Sequence, residues 1–76
     1  MTKIVYHVHT KNRVIKTTDL NLVNACIASG TVPFLDMHKD GYLRRVYRQL
    51  THIEFYVWDT EANTHSELMP FYRASR

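Results

Sequence analysis

Three short stretches of this chain carry side chains able to do chemistry. His7-Val8-His9 spaces two imidazoles two positions apart, so in an extended strand both project from one face and could begin a zinc or copper site. His52-Ile53-Glu54 repeats that spacing with an imidazole and a carboxylate, and its His-x-Glu matches half of the zinc-deaminase signature. Asp36-Met37-His38-Lys39-Asp40 contains His-x-Asp, a fragment of the two-histidine, one-carboxylate iron site, with His52 or His65 as the distant second histidine.

None of the three is completed in the sequence around it. No third ligand stands near His7 and His9, the Pro-Cys-x-x-Cys half of the deaminase motif is missing, and an iron site needs a larger barrel to shield its substrate. The only glycines are Gly30 and Gly41, so there is no phosphate-cradling loop. Cys26, the single cysteine, falls in an apolar stripe and reads as a buried, inert thiol. The expectation is therefore no catalytic residue, no metal and no cofactor: a protein that is not an enzyme.

A fourth stretch offers contact rather than chemistry. Tyr42-Leu43-Arg44-Arg45-Val46-Tyr47-Arg48 and the following Ile53-Glu54-Phe55-Tyr56-Val57-Trp58 concentrate arginine and aromatic side chains. Arginine supplies planar, bidentate donors, and tyrosine and tryptophan supply large rigid area, the residue types enriched at interfaces. Tyr42, Arg44, Arg48 and Trp58 are the expected partner-binding residues. The alternative is a nucleic-acid surface built from Arg13, Lys16, Lys39, Arg44 and Arg48, with tyrosine stacking on bases. A formal net charge of +3 permits that reading, while Glu54, Asp59, Glu61 and Glu67 dilute the positive field and favour a protein partner. Five histidines would add charge below neutral pH.

These residues must be positioned by a small domain of 76 residues. Lys3 to His9 alternates apolar Ile4, Tyr6 and Val8 with polar neighbours, the period of a half-buried strand. A turn at Lys11-Asn12 returns Val14 to Thr17 as a second strand, with Val8 opposite Ile15 and His7 opposite Lys16. Thr18-Asp19 offers N-cap chemistry, Leu20, Val23 and Ile27 follow at helical spacing widened by Leu22 and Cys26, and Gly30 suits a C-terminal cap; a helix over roughly 19 to 29 is expected. Val32 to Lys39 reads as a third strand.

Residues 42 to 50 fit two patterns. Leu43, Val46, Tyr47 and Leu50 make a helical stripe, but folding the chain at Asp40-Gly41 sets Leu35 opposite Val46, Phe34 opposite Tyr47 and Asp36 opposite Arg45. The hairpin is favoured. In that register Lys39, Tyr42, Arg44, Val46 and Arg48 share a face with Leu35 and Met37, and Arg45 is occupied by Asp36. Ile53 to Trp58 forms another strand.

The expected architecture is α+β: a small antiparallel sheet of order ββαβββ covered on one face by a single helix. Residues 1–60 form the compact domain, and 61–76 add a polar loop and a C-terminal segment that is either a docked edge or a loose tail. A lone cysteine, no membrane-spanning run and no signal-peptide core fit a cytoplasmic protein. The leading expectation is a small intracellular protein-binding module, regulatory or inhibitory, of the kind viruses and mobile elements encode. A homodimer would relieve the small core.

Overall fold

The structure, a computed structural model, describes residues 1–75. One helix and six antiparallel strands follow the order ββαββββ: β1 (Thr2–Thr10), β2 (Val14–Thr17), α1 (Leu20–Ser29), β3 (Thr31–Met37), β4 (Leu43–Asp59), β5 (Thr64–His65) and β6 (Met69–Arg73). The strands form a curled half-barrel sheet. The α+β architecture is as the sequence predicts, but the strands expected over 42–50 and 53–58 are one continuous strand, β4, and the 61–75 segment adds two more, β5 and β6, to an edge of it.

The 17-residue strand β4 organises everything else. Its first part, Leu43 to Gln49, pairs with β3; its second part carries β1 on one edge and β5 and β6 on the other. A straight strand of that length would span about 53 Å at 3.3 Å per residue. The molecule extends 46 Å along its longest principal axis, and the curl of the sheet bends β4. The bend has a local cause. His52 pairs with His9 but Leu50 pairs with Thr10, which leaves Thr51 as an extra residue in a β-bulge.

The β1–β2 hairpin has the expected register, with Val8 opposite Ile15 and His7 opposite Lys16. Its two-residue loop is closed by the Thr10 amide donating to the Arg13 carbonyl at 2.8 Å. Helix α1 also begins and ends where its caps require. The Asp19 carboxylate accepts from the amides of Asn21 and Leu22, and Gly30, at φ 73°, takes the left-handed conformation that donates its amide to the Cys26 carbonyl. Asp19→Ala should cost about 1 kcal/mol in urea denaturation, the usual effect of losing an N-cap.

The face of the sheet under α1 holds the core. Val23 and Cys26 of the helix pack with Tyr6 and Val8 of β1, Val32 of β3, and Leu50 and Ile53 of β4. The edge strand β6 closes the far side: Tyr72 packs against this cluster, and Phe71 meets Tyr6 and Phe55 edge to face at 5.1 and 5.8 Å. Cys26 is buried as expected, and burial pushes its thiol pKa up, which disfavours the reactive thiolate.

The β3–β4 hairpin differs from the expected register by one residue. Phe34 lies opposite Val46, Leu35 opposite Arg45 and Asp36 opposite Arg44. The physical reason is the loop. An Asp40-Gly41 turn of type I′ needs positive φ at both central residues, yet only Gly41 has it, at 91°. The chain instead uses a three-residue loop, Lys39-Asp40-Gly41. The Gly41 amide donates to the His38 carbonyl at 2.8 Å, and the His38 amide donates to the Tyr42 carbonyl at 2.7 Å. One extra loop residue shifts the pairing by one and exchanges the two faces relative to each other.

Candidate functional site

The register shift rearranges the arginine stretch. Arg44, Val46 and Arg48 share the core-side face with Val32, Phe34 and Asp36, whereas Leu43, Arg45 and Tyr47 share the outer face with Leu35 and Met37. The expected Asp36–Arg45 pair does not form. Asp36 instead meets Arg13 at 3.0 Å and Arg48 at 3.9 Å, and the Arg13 guanidinium also lies 5.0 Å from the Phe34 ring centre. Arg48 therefore lies on the core-side face within reach of Asp36, and Arg45 stands among apolar neighbours.

That outer face gathers several exposed apolar side chains. Leu35, Met37, Leu43 and Tyr47 are 64%, 68%, 58% and 58% exposed; Tyr42, 54% exposed, lies opposite His38 at the hairpin tip, on the side of Arg44. Tyr42 stacks on His38 at 4.6 Å, and the His38 ring accepts from the Asp40 amide, so the tip is ordered by its own side chains. Trp58 does not join this face. It lies ten residues further along β4 than Arg48, roughly 33 Å away along a strand, where Lys3 sits 6.0 Å from its ring. Lys16 sits beside His7 on β2, and Lys39 is in the hairpin loop.

A second feature lies where β4 bulges. A cleft of about 1050 Å³ opens between the β1–β2 turn, the bulge and the end of β6, and Lys11, Arg13, Arg48 and Arg73 line it, with no carboxylate in its walls among the described residues. Of the residues expected to bind nucleic acid, Arg13 and Arg48 meet here, while Lys16, Lys39 and Arg44 do not line it.

A third feature is the sheet face opposite α1. Pairing of β1 with β4 places His7 opposite Glu54 and His9 opposite His52, and β5 adds His65 beside Trp58. The His-x-His and His-x-Glu stretches therefore meet side by side. His9 Nε2 is 2.9 Å from Glu54 Oε1, His52 Nε2 is 4.0 Å from the same oxygen, and the His9 and His52 rings stack at 4.1 Å. His7 packs edge-on to Tyr56 at 5.5 Å, and its Nε2 is buried without a hydrogen-bond partner. Neither motif alone reveals this cluster; the signal was that both are i, i+2 pairs on strands, which antiparallel pairing can unite on one face.

Comparison with protein-family models, with curated proteins and with solved structures finds no match. Function has to be read from these surfaces. No helix among the described residues is long and apolar enough to cross a membrane.

The histidine face also sets a pH dependence. Burial lowers the pKa of His7 from its ordinary 6.5, helped by Lys16 and His9, with Glu54 opposing. Burial likewise lowers that of His52, helped by His9 and Arg73 against Glu54. Both groups bind protons less readily folded than unfolded, so their stabilising effect is complete above pH 6.5 and is lost as pH falls through their lower folded values. In metal-free buffer the urea midpoint should fall between about pH 7.5 and 5, and the fall should be smaller in a His7→Asn, His52→Asn variant.

Proposed function

We propose that the protein is a non-enzymatic binding module, regulatory or inhibitory, that captures a protein partner with the outer face of the β3–β4 hairpin. The observation that carries this reading is the cluster of Leu35, Met37, Leu43 and Tyr47 around Arg45, exposed on an arm that extends from the core. Apolar and aromatic side chains grouped about an arginine are what an interface centre needs, and an isolated domain gains nothing by leaving them in water. Binding there would act by occluding the partner's surface, since no catalytic group lies within the patch.

The test is quantitative affinity purification with the wild-type chain and with a Leu35→Glu, Tyr47→Glu variant. Proteins enriched by the first and lost by the second are partners of this face; an unchanged set removes the assignment. Sedimentation of the same two proteins reports whether the occupant is a second copy of the chain.

A second reading rests on the basic cleft. Four cationic residues facing one cavity suit a phosphate-bearing ligand, nucleic acid included, although Asp36 already neutralises part of Arg13 and Arg48. It predicts affinity for single- or double-stranded DNA or RNA that declines steeply with salt and is weakened by Arg73→Ala. Absence of binding at low salt removes it.

A further inference from the structure

We propose that His9, His52 and Glu54 form a binding site for a divalent first-row transition ion of the zinc type. Their ligand atoms all lie within 4.8 Å of one another, and all three side chains are partly exposed, leaving an approach from solvent. Bonds of about 2.0 Å in tetrahedral geometry set ligand atoms about 3.3 Å apart. The 2.9 and 4.0 Å separations from Glu54 Oε1 bracket that value. Two imidazoles and one carboxylate also match this class of ion, whereas magnesium and calcium prefer oxygen donors. Three protein ligands leave a fourth position to water.

The surroundings orient the donors. Thr51, the extra residue of the bulge, donates its hydroxyl proton to the His9 carbonyl at 3.0 Å. Its oxygen is then left to accept from His52 Nδ1 at 3.2 Å. That chain places the ring proton of His52 on Nδ1 and leaves the Nε2 lone pair on the side of Glu54. A hydrogen bond that fixes the tautomer in this way is the usual outer support of a metal-bound histidine.

The lone pair and the carboxylate oxygen are both acceptors, 4.0 Å apart, and a cation between them satisfies both. The stacked rings are parallel within 9°, so one must turn for both nitrogens to reach a single ion. His9 is the one to turn: its ring nitrogen is held by Glu54 itself, and the torsion that rotates a histidine ring is broad. The ion then takes the place of the His9–Glu54 hydrogen bond, the neutral ring carrying its proton on Nδ1 and any second proton passing to solvent. Arg73, opposite His52 on β6, is the opposing charge and keeps the affinity moderate.

Titration of the chelator-stripped chain with zinc chloride by calorimetry tests the site. The expected result is saturable binding of one ion per chain, with no comparable binding of magnesium or calcium. His9→Ala, His52→Ala and Glu54→Gln should each weaken it by about tenfold or more, since even outer-support changes cost 10–100-fold. His38→Ala should leave it unchanged, and Arg73→Ala should strengthen it. Circular dichroism without metal checks that each variant is folded. Should a double His9→Asn, His52→Asn variant that keeps its fold bind zinc like the wild type, or the wild type show no saturable binding, the proposal is overturned.

Discussion

Ile53→Ala should destabilise the fold by about 3–4 kcal/mol, within the range for emptying a fully buried isoleucine site. Ile53 is wholly buried where three strands meet: it lies opposite Val8 on β1 and opposite Tyr72 on β6, with Val23 and Cys26 of α1 in the same cluster. No neighbour can close over the gap without dragging a paired strand with it. A chain of this length has about 4–11 kcal/mol of total stability at 0.05–0.15 kcal/mol per residue. The loss is therefore about a quarter of that or more. Ile53→Val should cost about 1 kcal/mol. Leu43→Ala, on the exposed outer face of the arm, should stay within about 0.5 kcal/mol. Equilibrium urea denaturation of the three variants decides it: equal effects at positions 53 and 43 would mean the core is elsewhere.

The contrast between those two leucine-sized side chains shows what the sequence could and could not convey. Where alternation is unambiguous and the turn has one solution, the reading held in detail. Val8 against Ile15 follows from apolar and polar residues alternating on both sides of Lys11-Asn12, and any slip would turn a buried valine to water. The helix ends were legible for a similar reason, since Asp19 and Gly30 each have a conformational role that few other residues fill as well.

The β3–β4 hairpin lacked such a constraint. Asp-Gly serves a two-residue loop and also the end of a three-residue one, and Val46 finds an apolar partner either way, Leu35 in one register and Phe34 in the other. The three-residue loop agrees with burial of Leu50, which turns Arg48 and Val46 to the α1 side with Val32 and Phe34, and that is tertiary information. The histidine cluster was hidden by the same kind of distance. His9 and His52 become neighbours only because β4 runs antiparallel to β1, and the bulge that orients His52 leaves no pattern of its own in the residues around Thr51.

The register decides the largest expected effect on function. With Leu35 and Tyr47 replaced by glutamate, affinity for the hairpin's protein partner should fall at least about 100-fold, since single interface hot spots are worth 2 kcal/mol or more. Both side chains are more than half exposed and share the outer face, so the melting temperature should move by no more than a few degrees. Arg44→Ala with Arg48→Ala should behave differently. These arginines lie on the core-side face, and Arg48 reaches Asp36, so their loss should alter local ion pairing while leaving partner affinity within a few-fold of wild type. Had the hairpin closed on a two-residue loop, the arginine pair would sit with Leu35 at the interface. The pair of variants, measured against one identified partner by interferometry, separates the two faces of a single strand pair. Strong loss in the arginine variant with none in the glutamate variant would place the contact on the core side and move the search to the basic cleft, where Arg48 already sits beside Arg13.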